Sequence, residues 1–276
     1  MDRIRLIASD MDATLLDEQS QLPADFEETI HALAELGIRF APASGRPLYT
    51  LEELFPTLRD ELVFIGDNGG AIRWKGQNLF TSEMSPEGWR ALNRLTREQG
   101  DIAVLCGLES AYVERPFAVH DAVLRHFYTK IEYVDRLEDV TAPADKFTIY
   151  LPQHNAQQAY DTVYASQRSI YSVAVAGECW VDIMNPGVHK GAALQTLGQL
   201  WGLPSESMMA FGDTYNDAEM LQTVRYGFLV ENGSVPLRRN VPFLAPSNRE
   251  AGVMQVLHRV LAQNGCVCPE DFVPAH

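Results

Sequence analysis

Ile4-Arg5-Leu6-Ile7-Ala8-Ser9-Asp10-Met11-Asp12-Ala13-Thr14-Leu15-Leu16-Asp17 is an apolar run that ends in closely spaced acids. Its first part, Ile4 to Ser9, reads as a buried strand. Ligands of open parallel sheets bind beyond the carboxyl ends of the strands, so acids placed there face a crevice. Asp10 and Asp12 stand two residues apart, and if the extended geometry persists both side chains point to one side. Two adjacent carboxylates in a partly buried site need a cation or a shared proton, and oxygen ligands favour Mg²⁺ as that cation.

Working outward, the pattern alternates strands with helices, as a parallel βαβ sheet requires. From Pro23 to Leu36 the apolar residues Phe26, Ile30, Leu33 and Leu36 recur at helical spacing, with Pro23 suited to a first turn and Gly37 to the position after the end. Ile38 to Ala43 is a second strand, Leu48 to Phe55 a second helix, and Leu62 to Ile65 a third strand before a Gly69-Gly70 turn. Between about Met84 and Asn185 the texture changes to helices mixed with paired strand-like runs, including a hairpin around Ala176-Gly177-Glu178. After Asn185-Pro186-Gly187 the βα rhythm returns: a helix near Lys190 to Trp201, a strand from Met208 to Phe211, a helix near Asn216 to Thr223, two more strands and a last amphipathic helix. The expected fold is α/β: a Rossmann-like parallel-sheet core from residues 1–83 and 188–276, with an inserted α+β domain over residues 84–187.

Three further clusters sit where strands end or helices begin. Ala43-Ser44-Gly45-Arg46-Pro47 offers a hydroxyl, a small glycine and helix N-terminal amides, an arrangement that suits phosphate, although Ser44 could equally be a plain N-cap. Lys190 opens a helix, where the dipole disfavours a cation unless an anion lies nearby. His189 beside it pairs with no nucleophile and reads as a structural or surface residue. In Gly212-Asp213-Thr214-Tyr215-Asn216-Asp217, Asp213 can add a third oxygen ligand to a metal on Asp10. Asn216 and Asp217 can orient Lys190 or the metal's waters, or Asp217 can simply complement the helix dipole.

The 276 residues carry a net charge of −15, and no basic patch exceeds Arg238-Arg239, which argues against nucleic acid and anionic membrane surfaces as partners. No apolar run approaches the roughly 20 residues of a membrane helix, and the start lacks a signal peptide's regions, so a cytoplasmic location is expected. Cys106, Cys179, Cys266 and Cys268 are too sparse for a disulfide framework and are expected to be free thiols.

The four ordered motifs resemble those of the haloacid dehalogenase-like superfamily, and among them the Cof-type phosphatases with an α/β cap between the second and third motifs. The first, D-x-D-G-T, is Asp10 to Thr14; the second is Ser44 in S-G-R; the third is Lys190 in P-G-V-H-K-G; the fourth, G-D-x-x-N-D, is Gly212 to Asp217. Ile65-Gly66-Asp67-Asn68-Gly69-Gly70-Ala71-Ile72 also resembles the segment that precedes the cap.

The resemblance implies that Asp10 attacks phosphorus and that Asp12 protonates the leaving alcohol, then activates water. It implies Mg²⁺ held by Asp10, the backbone carbonyl of Asp12, and Asp213, with Asp217 in support. Ser44 and Lys190 would bind the phosphoryl oxygens, and Gly45 and Asn216 would line the site. Position 13 departs from the pattern: Ala stands where the family has Gly, a cost of about 1 kcal/mol if the backbone there is left-handed.

The expected substrate is a small phosphorylated metabolite, sugar phosphates first, with pyridoxal phosphate, flavin mononucleotide or nucleotide-like phosphates as alternatives, and no protein partner is indicated. A phosphotransferase or mutase of the same fold, or a non-catalytic metabolite-binding protein, are the rival readings. The resemblance implies that the cap supplies specificity, and Tyr112, Glu114, Arg115, His120, Arg125, His126, Lys146, Glu178 and Trp180 are its unranked candidates, each of which reads equally as a surface or core residue.

Overall fold

The apolar run after Arg5 forms strand β1 (Leu6–Asp10), buried throughout, in a computed structural model that describes all 276 residues. Helix α1 (Phe26–Glu35), β2 (Arg39–Ala43), α2 (Leu48–Glu53) and β3 (Val63–Gly66) follow. α1 begins at Phe26 rather than at Pro23, because the Phe26 N–H first closes a turn onto the Pro23 carbonyl. Beyond its end Gly37 takes φ +74°, the left-handed position a glycine fills without a Cβ clash.

β4 (Ala71–Trp74) and β5 (Gln77–Thr81) form an antiparallel hairpin where the sequence reading has no strands. Its tip is Lys75 and Gly76, both at positive φ, as a two-residue turn matched to strand twist requires. The Lys75-Gly76 pair at the turn was the available signal.

The chain then builds a second sheet. α3 (Pro86–Gln99) is capped by Ser85, whose hydroxyl accepts the Gly88 N–H at 3.1 Å. After it come β6 (Ile102–Gly107), β7 (Ala111–Glu114), α4 (Asp121–Phe127), β8 (Ile131–Val134), β9 (Ala144–Tyr150), α5 (Ala156–Asp161), β10 (Ser172–Val175) and β11 (Trp180–Met184). The strand order is β10-β11-β9-β6-β7-β8, antiparallel except for β7 against β8. Gly177, at φ +79°, turns β10 into β11 at the expected hairpin.

α6 (Lys190–Trp201), β12 (Met208–Gly212), α7 (Ala218–Thr223), β13 (Tyr226–Val230), β14 (Phe243–Ala245), α8 (Gly252–Ala262) and β15 (Val273–Pro274) complete the first sheet. Its order is β15-β14-β13-β12-β1-β2-β3-β4-β5, parallel from β14 through β3. Apolar side chains of α1, α2 and α8 cover one face and those of α6 and α7 the other, so the sheet is the buried middle of three layers. This is a Rossmann-like α/β core accompanied by an α+β unit. From β1 the chain proceeds to β2 and β3 on one side, and from β12 to β13 and β14 on the other. The strand order therefore reverses between β1 and β12, where such sheets open a crevice. All four cysteines are free, and no helix is long and apolar enough to cross a membrane.

Candidate active site

At this switch point the ends of β1 and β12 bring Asp10 beside Asp213 and Asp217, with one carboxylate oxygen of each within 4.8 Å of the others. Lys190 is fully buried; its ammonium donates to Asp10 Oδ1 and, at 2.7 Å, to Asp217 Oδ1. Those two carboxylates are the anions that make a lysine tolerable at a helix start. His189, one residue earlier, is the N-cap and accepts the Ala192 N–H at 3.2 Å, the structural role expected of it. Gly212 permits the cluster, since a Cβ there would lie 2.4 Å from that of Asp217. Asp217 also accepts the N–H groups of Asp213 and Thr214 at 3.0 and 3.2 Å, so it complements the helix start and orients the lysine at once.

Three carboxylates around one ammonium leave an excess of negative charge. Burial, opposed by Lys190 and reinforced by Asp217 and Asp213, pushes Asp10 up to about 8. Burial and the Asp217 charge push Asp213 up to about 6. Lys190 is pulled down by burial, but Asp10 and Asp217 outweigh that and hold it above the usual lysine range. A hard, all-oxygen donor set with unneutralised charge fits a divalent cation such as Mg²⁺.

The extended geometry expected to carry Asp10 and Asp12 onto one side stops at Asp10. Ala13 turns at φ +60°, and the two acids, although both line one cavity, have different partners. Asp12 Oδ1 accepts from the Arg46 guanidinium at 2.7 Å, with Oδ2 at 3.1 Å, so its carboxylate stands apart from the acidic cluster. Ser44 is not a helix cap: Pro47 precedes α2, and the buried Ser44 Oγ accepts the Arg46 N–H at 3.1 Å.

A cavity of about 490 Å³ joins Asp10, Asp12, Ser44, Gly45, Asp213 and Asn216 to the second sheet. Asn216 accepts from the Thr214 hydroxyl at 2.6 Å. Of the candidate cap residues only Lys146 and Trp180 reach this cavity. Glu114, Arg115 and Arg125 are engaged in ion pairs elsewhere, with Arg97, Asp135 and Asp121, and Glu178 lies 3.3 Å from His154 Nδ1. Tyr112 packs on the apolar core of the second sheet, His120 against Tyr150 and His126 against Phe127. The sequence reading gave no role to Arg46, Asn68, Phe127, Thr148 or Asp182, which also line the cavity. Arg46 and Asn68 lie inside motifs already quoted; the other three carry no local signal, because strand and helix pairing alone brings them there.

The family model for haloacid dehalogenase-like hydrolases matches residues 7–257. The chain is 31% identical to the 5-amino-6-(5-phospho-D-ribitylamino)uracil phosphatase YbjI of Escherichia coli (strain K12), over 94% of this chain and 96% of that one. It is 30% identical to the HMP-PP phosphatase of Cronobacter sakazakii, over 87% and 89% of the two chains. Among solved structures, SMU.1108c from Streptococcus mutans UA159 superposes with a TM-score of 0.85 at 28% identity, covering 94% of this chain and 99% of that one.

Proposed function

The chain belongs to the haloacid dehalogenase-like hydrolases and is a phosphatase, and from that premise we propose that it hydrolyses small phosphorylated metabolites with Mg²⁺ through a phosphoryl group carried on Asp10. The observation that carries this reading is the Asp10–Asp213–Asp217 cluster with its single buried lysine, opening onto a cavity of metabolite size. In the proposed division of labour, residues 1–83 and 188–276 perform the chemistry and residues 84–187 select the leaving group.

Asp10 Oδ attacks phosphorus as the ester P–O bond breaks, and the departing alkoxide takes a proton from Asp12. Asp12 then accepts a proton from water as the oxygen of that water attacks phosphorus, releasing phosphate and the Asp10 carboxylate. Arg46 holds Asp12 at the cavity. Ser44 and Lys190 take the phosphoryl oxygens, with Gly45 and Asn216 lining the site. Mg²⁺, held by Asp10, Asp213 and the Asp12 carbonyl with Asp217 in support, would keep Asp10 ionised and neutralise the phosphoryl charge. Asp10→Asn is expected to abolish hydrolysis of p-nitrophenyl phosphate without unfolding the protein, and retained turnover would refute the assignment of the nucleophile.

Sugar phosphates are the substrate class we propose first. One feature favours an alcohol bearing an aromatic ring as a second reading: Phe127 and Trp180 meet edge to face at 5.0 Å on the cavity wall. The relative named for a ribitylaminouracil phosphate points the same way. Comparing kcat/KM for glucose 6-phosphate and pyridoxal 5′-phosphate, in the parent chain and in Trp180→Ala, separates the two. A loss confined to the aromatic ester supports the second reading.

A further inference from the structure

We propose that Lys146 is a positioning residue: reaching from the second sheet, it fixes the peptide between Gly45 and Arg46 and so orients the Ser44 hydroxyl toward the phosphoryl group. This rests on reading Ser44–Arg46 as the phosphate-binding loop.

Lys146 lies on β9, and its side chain is 2% exposed. Its ammonium donates to the Gly45 carbonyl at 2.6 Å and stands 3.0 Å from Asp67 Oδ1 and 3.5 Å from Asp182 Oδ2. An ammonium has three protons, and here three protein oxygens surround it. Its hydrogen bond goes to the Gly45 carbonyl and its charge is balanced by Asp67 and Asp182, which separates Lys146 from an unpaired phosphate ligand although it borders the cavity. Burial works against its charge, but Asp182 and Asp67 outweigh burial and hold the side chain protonated.

The Gly45 carbonyl and the Arg46 N–H belong to one planar peptide, so fixing one end aims the other. That N–H donates to Ser44 Oγ at 3.1 Å, which occupies a lone pair and leaves the hydroxyl proton for an anion in the cavity. A second thread ties the same acid to the same loop: Asn68 Nδ2 donates to Asp182 Oδ2 at 3.2 Å, and its backbone N–H to the Ser44 carbonyl at 2.9 Å. The seating of the second sheet and the geometry of the phosphate loop are thus one arrangement. A simple clamp between the two units would need no bond to this particular peptide.

The test measures inorganic phosphate affinity by calorimetry with Mg²⁺ present, together with kcat/KM on p-nitrophenyl phosphate. Three full-length variants are compared: Lys146→Met; Lys146→Met/Asp67→Asn, which removes charge from both partners; and Lys146→Arg, which keeps the charge on a longer fork. In every variant that retains the parent melting transition, phosphate affinity and kcat/KM are expected to fall by about tenfold or more, and this loss should vanish in a Ser44→Ala background. Parent-like phosphate affinity, or a loss of equal size with Ser44 already removed, overturns the proposal and leaves Lys146 a clamp. If no variant keeps the parent transition, Lys146 is needed for folding and the proposal of a separate positioning role falls. A parent chain that binds phosphate but does not turn over p-nitrophenyl phosphate would sink the phosphatase reading alone. A parent chain that binds no phosphate sinks both.

Discussion

Ala13 holds φ +60° and ψ +7°, a left-handed conformation that disfavours a Cβ. The methyl group is tolerated because the turn is tied down from outside: Asn232 Nδ2 donates to the Ala13 carbonyl at 2.7 Å while its Oδ1 accepts the Asn248 N–H at 3.0 Å. Ala13→Gly is therefore expected to raise stability by up to about 1 kcal/mol in denaturant titration, relief of strain exceeding the added chain entropy. Turnover should change little, and a hundredfold gain would mean that the alanine distorts the site. Asn232→Ala should cost about 1–2 kcal/mol, since it leaves the Ala13 carbonyl and the Asn248 N–H without their partner. A neutral result in the same titration would show that the tie carries no weight.

At the scale of elements, the contact between α6 and α7 sets where Lys190 stands. A Cβ on Gly191 would lie 2.7 Å from the backbone carbonyl of Glu219, so the two helices can be this close only with glycine at that position. Gly191→Ala should force them apart, at about 1–3 kcal/mol, and draw the adjacent Lys190 away from Asp10. Thermal denaturation and kcat together check this, and parent-like kcat would place the lysine beyond the reach of the displacement. Helix α6 and most strands of both sheets were legible in the sequence, since apolar spacing and flanking glycines are local signals. The β4–β5 hairpin was not, because its two strands carry Arg73, Gln77 and Asn78, with no strong alternation to mark them. α4 and α5, short helices of the second unit, went unread for the same want of a long period.

Across the whole molecule, a chain of net charge −15 must attract a phosphorylated ligand, and three of its acids converge where that ligand would bind. Asp10, at about 8, and Asp213, at about 6, hold protons that the unfolded chain has released by about pH 4. With folded pKa values raised above unfolded ones, the folded, metal-free protein binds more protons in that window. The stability contributed by this site therefore falls as pH rises from about 4 toward 8. Binding of the proposed Mg²⁺ would have to displace those protons, so its affinity should tighten as pH rises from about 5.5 to 8.5, with proton release seen by calorimetry in buffers of different ionisation enthalpy. An affinity flat across that range would argue against Asp10 and Asp213 as ligands. Added EDTA should abolish hydrolysis, and excess Mg²⁺ restore it.

By itself the sequence determined the α/β alternation, the change of texture near residue 84 and the four acid- or cation-bearing clusters at strand ends and helix starts, because periodicity and chain punctuation act over a few residues. Tertiary structure alone decided the partners. Lys190 meets Asp10 across 180 residues of chain, and Lys146 reaches Gly45 across 101. Arg46 takes Asp12 away from the acidic cluster, whereas spacing alone had suggested that Asp12 stands with Asp10. Such pairs depend on strand order, on where β1 stops, and on how the second sheet sits over the first. A charge buried between two units finds its counter-charge only once both have packed, so no stretch of either one specifies the pair.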